Sequence, residues 1–162
     1  MDTNQSTRLQ VEAWFHSQGW TPMGFQKETW VHIIDGKSGL VNAPTGSGKT
    51  YSLFIGILID FIIKNPNHTS KSHHGLQLIW VSPIRALAKE IQMSCQRAAE
   101  ALGVKWQIEI RTGDSTTKER QAQLKRPPEV IITTPESIHV LMATKGYPNF
   151  FGTLKTIVVD EW

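Results

Sequence analysis

The chain has 162 residues, 40% hydrophobic and 19% charged, a balance that suits one folded domain with a real core and excludes a disordered segment. With 17 Lys and Arg against 14 Asp and Glu the net charge is +3, compatible with a nucleic-acid partner and too small to establish one. The single cysteine, Cys95, excludes an internal disulfide framework and a cysteine-based zinc site, and no basic-then-apolar leader opens the chain, so a soluble, reducing, cytoplasmic setting is expected.

The first helix is expected from about Ser6 to Ser17, with Ser6 as its cap and Leu9, Ala13 and Trp14 at helical spacing; Gly19 ends it. After the turn Trp20-Thr21-Pro22, a second helix is predicted from Gly24 to Ile34, with Phe25, Trp30, Ile33 and Ile34 apolar and Gly36 beyond its end. Gln26 is polar in this otherwise apolar-facing element. It reads either as a solvated helical side chain or as an amide that reads the edge of a base, since an amide both donates and accepts.

Next comes Ala43-Pro44-Thr45-Gly46-Ser47-Gly48-Lys49-Thr50, entered from the apolar pair Leu40-Val41 and followed by the apolar run Tyr51 to Ile63. Strand, Gly-rich turn, helix is the setting of a phosphate-binding loop. Small residues let several N–H groups curl around one anion, and the new helix adds its unpaired N–H groups and positive dipole end. Lys49 can then reach the β- and γ-phosphates, and the Thr50 hydroxyl can hold magnesium. The strict pattern has Gly where Ala43 stands. An ordinary Gly-rich turn is the alternative, but a turn has no use for a Lys-Thr pair directly after its last Gly. The following run contains Asp60 and is too short to span a membrane, which takes roughly twenty apolar residues.

Lys64 to Gly75 is loop chemistry; His68, His73 and His74 lack a carboxylate or Cys at ligand spacing and read as surface. Leu76 to Val81 is an apolar run typical of a strand buried on both faces. Ser82-Pro83-Ile84-Arg85 then opens a helix along Ile84, Leu87, Ala88, Ile91, Cys95, Ala98 and Leu102, closed by Gly103. Arg85 sits where the helix dipole disfavours a cation, so it is expected to face an anion. Val104 to Arg111 alternates as a strand, with Lys105, Gln107, Glu109 and Arg111 on the outward side. Thr112-Gly113-Asp114-Ser115 is a turn, Thr116 to Leu124 a polar exposed helix, and Val130 to Thr133 a buried strand. Thr134 caps the next helix, with Pro135 and Glu136 in its first turn and Ile138 to Ala143 continuing it. Lys145 to Gly152 is read as loop. Thr156 to Val159 is an apolar strand ending in Asp160-Glu161-Trp162.

Alternating strands and helices give an α/β class with a mostly parallel sheet, and the polar motifs fall where strands end and helices begin, the edge at which such sheets bind ligands. Asp160 can hold magnesium, and Glu161 can orient or deprotonate an attacking water.

This ordered set resembles the first RecA-like domain of superfamily 2 DExH-box helicases. Phe25-Gln26 resembles the Q motif and Ala43 to Thr50 motif I. Ser82-Pro83-Ile84-Arg85-Ala86-Leu87 resembles motif Ia, Thr112-Gly113-Asp114 motif Ib, and Thr134-Pro135-Glu136 the next strand-contacting motif. Asp160-Glu161 resembles the start of motif II. The Asp-Glu-Trp wording and Gly-Phe-Gln-x-Glu-Thr-Trp look most like the bacterial ligase-associated DEXH-box helicases of the Lhr-type branch. The resemblance implies a motor on DNA that uses ATP and Mg2+, tracks 3′ to 5′ and serves DNA repair, possible partners being DNA-ligase-associated repair proteins. It implies N-terminal helices with a Q-like motif over 1–36 and a partial RecA-like ATP-binding domain over 37–162. It assigns Thr45, Gly46, Ser47, Gly48, Lys49 and Thr50 with Gln26 to ATP, Trp20 or Phe25 to a place beside the base, Thr50 and Asp160 to Mg2+, and Lys49, Asp160 and Glu161 to catalysis. It lays Pro83, Arg85, Gly113, Thr134 and Pro135 along the nucleic-acid backbone.

The motif's His would come after Trp162, and the second RecA-like domain with its arginine finger is not in the sequence. The expectation is a fragment of a longer helicase that hydrolyses ATP negligibly and unwinds nothing by itself. The alternatives are a non-motor nucleotide-binding module, an RNA helicase fragment, or another P-loop enzyme, which should show an Arg-rich lid or a Leu-Ser-Gly-Gly signature.

Overall fold

A computed structural model describes residues 3–161. It divides into two compact groups, residues up to 71 with 97–105, and residues 72–96 with 106 onward.

The first group is helical. Helix α1 (Thr3–Ser17) starts earlier than its sequence cap suggests, and it buries Thr7, Val11 and Phe15. The stripe expected from Leu9, Ala13 and Trp14 is therefore out of phase, and Leu9 is 49% exposed. The β-branched and aromatic side chains four apart outcompete Leu9 for the core, because together they cover one continuous stripe. Helix α2 (Gly24–Ile34) matches its expected bounds, and α3 (Lys49–Lys64) follows the phosphate loop. Helix α3 buries Phe54, Ile55, Ile57, Leu58, Ile59, Phe61 and Ile62. At about 1.5–3 kcal/mol for each fully buried apolar side chain, this helix dominates the stability of its group. Trp14, Phe15, Trp20 and Tyr51 form a cluster of edge-on and tilted rings with centroids 5.4–6.3 Å apart.

The expected strand before the phosphate loop does not form. Residues 37–44 have no regular structure, and Leu40 is 79% exposed. Two apolar residues without a ladder partner among the described residues cannot satisfy a strand's N–H and C=O groups.

The second group is a sheet with helical crossovers. Its elements are β1 (Leu78–Val81), a 3-10 turn at Arg85–Leu87, the start of α4 (Ala88–Ala101), β2 (Ile108–Arg111), α5 (Thr117–Lys125), β3 (Val130–Thr133), α6 (Pro135–Met142), α7 (Tyr147–Phe150) and β4 (Thr156–Val159). The strand order is β2-β3-β1-β4, and every pairing is parallel. Parallel neighbours require crossovers, which the intervening helices supply. Ile79, Val81 and Ile131 from the strands pack with Leu76, Leu141 of α6 and Phe150 of α7. Helix α7 lies within the segment expected to be loop; Pro148 in its first turn and the buried Phe150 explain its presence. Glu129, fully buried just before β3, accepts from the backbone N–H groups of His74 and Gln107 at 2.8 and 2.9 Å and lies 3.0 Å from His73 Nδ1. It ties the His loop to the sheet. No group of metal-ligating side chains occurs among the described residues.

No helix among the described residues is long and apolar enough to cross a membrane.

Candidate functional site

The phosphate loop opens α3 through Gly48, which stands as its N-cap with φ 81° and ψ 33°. That left-handed conformation is cheap only for glycine. A Cβ at Gly48 would also meet Gln26 Nε2 at 2.7 Å. Gly46 likewise has φ 79°. The loop closes on itself: Lys49 Nζ donates to the Ala43 carbonyl at 2.9 Å, and Ser47 Oγ to the Pro44 carbonyl at 2.6 Å. Lys49 is thus poised across the loop, holding a neutral oxygen where an anion would serve better. Among the described residues the Thr50 hydroxyl has no hydrogen-bond partner, which leaves it open as a hard oxygen donor.

Gln26 is 4% exposed, so the solvated-helix reading fails. Its Oε1 accepts from Met23 N at 2.8 Å, and its Nε2 donates to the Gly48 carbonyl at 3.1 Å. The side chain therefore ties the start of α2 to the phosphate loop. An amide has two N–H donors and two acceptor lone pairs, so one of each remains for a further partner. Close by in the same group, Trp20 is 40% exposed, with its ring centroid 5.6 Å from that of Tyr51, while Phe25 is half-buried.

In the second group the acidic pair follows β4. Asp160 N donates to the Val81 carbonyl at 2.8 Å, and its Oδ2 accepts from Trp80 Nε1 at 3.2 Å. Its Oδ1 accepts from Glu161 N at 3.0 Å, and Glu161 itself holds φ 52°. A non-glycine residue in the left-handed region is uncommon and clusters at functional sites. Trp80, fully buried in β1, fixes the carboxylate by its indole N–H, a role that its place in an apolar strand run does not announce. Trp162, which follows the acidic pair, lies outside the described residues.

Of the residues expected along the nucleic-acid strand, Arg85 and Gly113 line one cavity of about 130 Å3, together with Arg111, Thr112, Arg120, Glu136, Ser137 and Val140; Pro83, Thr134 and Pro135 do not line it. Pro83 and Arg85 are exposed ahead of α4, which begins only at Ala88, later than expected. The reason is the extended backbone at Ile84, φ −106° and ψ 101°, which postpones the first helical turn. Arg85 lies over Gly113 so closely that a Cβ there would meet its Nη2 at 2.7 Å. Arg85 Nη1 also lies 3.5 Å from Asp114 Oδ1, both side chains being more than half exposed. Thr134 is buried, and its hydroxyl is occupied in capping α6 by Ser137 N at 3.3 Å. Pro135 follows as the first helical residue. Glu136 in the same turn is held below the usual carboxylate range, first by its own backbone N–H, then by the Thr134 hydroxyl, with Arg85 contributing.

Arg111 corrects the alternation read from the sequence. The alternation puts it outward, but it is 4% exposed, with Nη1 donating to the Arg120 carbonyl and to Gln123 Oε1, both at 3.2 Å. Helix α5 covers that side of β2, which a two-residue period cannot foresee. Burial, and next the charge of Arg120, push the Arg111 guanidinium below its ordinary value. Among the described residues, neither Arg111 nor Arg120 has a carboxylate at ion-pair distance. Only a signal linking distant residues could have revealed this cluster.

A profile of the DEAD/DEAH box helicase family matches residues 23–162. The Lhr helicase/probable uracil glycosylase of Mycolicibacterium smegmatis is 34% identical over 158 residues, 91% of this chain and 10% of the relative. The ATP-dependent helicase Lhr-Core of Methanocaldococcus jannaschii is 30% identical over 161 residues, 93% of this chain and 19% of the relative. Among solved structures, Mycobacterium smegmatis helicase Lhr bound to ssDNA and AMP-PNP superposes with a TM-score of 0.72 at 33% identity, covering 96% of this chain and 20% of that one. The chain thus spans a tenth to a fifth of the length of these relatives.

Proposed function

The chain belongs to the DEAD/DEAH box helicase family, and on that premise we propose that it is the ATP-binding part of an ATP-dependent DNA helicase of the Lhr type. The observation that carries the reading is the Gly-rich loop, whose left-handed Gly48 caps α3 and makes Lys49 and Thr50 its first residues, the arrangement in which a helix N-terminus offers its unpaired N–H groups to an anion. Thr45, Gly46, Ser47, Gly48 and Lys49 are assigned to the triphosphate, and Gln26 with its spare donor and acceptor to the adenine edge, with Trp20 beside the base. Magnesium carried by the nucleotide suits the oxygen donors of Thr50 and Asp160. Lys49 stabilises the transferring phosphoryl charge, and Glu161 orients the attacking water. The cavity with Arg85 and Gly113 is assigned to the sugar-phosphate backbone, with Pro83, Thr134 and Pro135 placed along the same strand, contacts that do not read bases. The complex of the mycobacterial relative with ssDNA and AMP-PNP supports both assignments. A 3′-to-5′ direction, a place in DNA repair, ligase-associated partners, a cytoplasmic setting and the division at residues 36 and 37 belong to the same reading.

The test is titration of the purified chain with Mg-AMP-PNP in the presence and absence of single-stranded DNA or RNA of equal length. The proposal expects nucleotide binding that strengthens when DNA is bound. Binding indifferent to DNA would favour a non-motor nucleotide module, and a preference for RNA would move the substrate class. The chain alone is expected to show negligible ATP hydrolysis, and unwinding by it would overturn the fragment reading.

A further inference from the structure

The exposed polar helix α5 has no role in the function proposed above, yet it supplies a side chain that bonds two carbonyls at the arginine cavity. Arg120 Nη2 donates to the carbonyls of Thr112 and Gly113 at 3.0 and 3.1 Å. Nη2 of the guanidinium gives its two hydrogens to two successive carbonyls and so fixes the peptide between them; a lysine ammonium can donate to the same oxygens, but on a flexible stem and without the planar group's set geometry. That peptide leads into Gly113, the residue over which Arg85 lies with no room for a Cβ. Arg120 is itself held in place. Thr116 caps α5 by accepting from Glu119 N at 3.2 Å, while the Glu119 carboxylate accepts from Thr116 N at 2.7 Å. Arg111 beneath donates to the Arg120 carbonyl. The chain of contacts therefore runs from the buried Arg111, through α5 and Arg120, to the Thr112–Gly113 peptide and Arg85.

Two neighbouring guanidinium groups without a carboxylate are an unfavourable arrangement for stability alone, since like charges repel and burial disfavours the charge of Arg111. The arrangement becomes favourable when an anion enters the cavity. We propose that Arg120 is a positioning residue of the nucleic-acid interface: it sets the Gly113 loop under Arg85 so that the cavity accepts one backbone phosphate. This inference rests on the nucleic-acid reading above and adds α5 to the interface.

The experiment is fluorescence anisotropy of a short fluorescein-labelled single-stranded DNA with the full chain over a range of salt, comparing Arg85→Gln, Arg120→Gln and Arg120→Lys. Thermal midpoints and amide hydrogen exchange at residues 112–115 are measured alongside on the DNA-free proteins. Arg85→Gln should weaken binding and lower the salt slope by about 0.7, the share of one phosphate on a single strand. Arg120→Lys, which keeps the charge, should weaken binding about tenfold, as expected where two hydrogen bonds lose their set geometry. Its salt slope should stay that of the wild type, with faster exchange at residues 112–115 and a thermal midpoint near the wild-type value. Wild-type affinity in Arg120→Lys with loss only in Arg120→Gln would make Arg120 a plain charge and overturn the clamp. So would wild-type affinity in both, or unchanged exchange. If the wild-type chain takes no oligonucleotide, the nucleic-acid reading fails, and with it the interface role of Arg120; the exchange data then decide the clamp alone.

Discussion

The phosphate loop and the arginine cavity both gather cations and backbone N–H groups, but they are assembled differently. The loop is one contiguous stretch whose groups already bond to each other, Lys49 to Ala43 and Ser47 to Pro44, with Gln26 of α2 bonded to Gly48 from outside it. The cavity draws on the segments around Arg85, Arg111 to Gly113, Arg120 and Glu136, and its two inner arginines meet only neutral acceptors. A self-satisfied loop has little to gain in stability until a nucleotide replaces its internal bonds with charged ones. The two inner arginines, with no carboxylate at ion-pair distance among the described residues, are held ready by the packing around them. Substitution should therefore damage the two sites in different ways, through backbone conformation in the loop and through side-chain geometry and charge in the cavity.

The largest effect is expected at Gly48. Alanine there must take the left-handed conformation, which costs about 1–2 kcal/mol, and its Cβ must displace Gln26. Gly48→Ala should lose most of its affinity for Mg-AMP-PNP, on the order of a hundredfold or more if two charge-assisted bonds to phosphate go with it. Oligonucleotide binding by the cavity in the absence of nucleotide should persist. Calorimetry and anisotropy on the one variant separate these; equal losses in both would mean the two sites are not independent in construction.

Gln26 gives an intermediate effect. Gln26→Ala leaves Met23 N without its partner and the Gly48 carbonyl with Ser52 N alone, both in part-buried surroundings, so the nucleotide-free chain should be less stable by about 1–2 kcal/mol. Urea unfolding without ligand reads this directly. An unchanged midpoint together with weaker nucleotide binding would show that the side chain acts on the base and not on the loop.

What the sequence discloses follows the same division. The phosphate loop, the Thr134-Pro135 start of α6 and the acidic pair after β4 are legible because each is a local pattern whose chemistry depends on adjacent residues. The parallel sheet is legible because β1 and β3 are continuous apolar runs buried throughout. The phase of α1 is not, since Leu9, Ala13 and Trp14 and the buried Thr7, Val11 and Phe15 are both helical stripes, and only packing chooses between them. Nor can the strand expected at Leu40 be judged without knowing whether a partner strand is present. Trp80 reaches Asp160 across eighty positions of sequence. Arg120 reaches Thr112 and Gly113 only because α5 begins with a capped turn at the right distance. Such contacts are set by tertiary closure, and no residue's immediate neighbours announce them.

Asp114 offers the smallest effect and the sharpest view of the cavity's charge balance. Its carboxylate is the nearest anion to Arg85, at 3.5 Å, and both groups are largely exposed. Such a pair contributes little to stability, because solvent screens it and two mobile side chains must be held together. Its effect on binding has the opposite sign from that of the arginines. A phosphate approaching Arg85 must displace Asp114 and is also repelled by it, so the carboxylate acts as an internal competitor. Asp114→Asn keeps the shape of the turn, including the bond from its N–H to Thr112 Oγ1, and removes only the charge. The expected outcome is an oligonucleotide affinity about two- to fivefold higher at low salt, the range available to an exposed ion pair, with the gain fading as salt rises. A loss of affinity would mean that Asp114 orients Arg85 toward the strand instead of competing for it. The cavity would then depend on a built carboxylate-arginine pair, in the way the phosphate loop depends on Gln26.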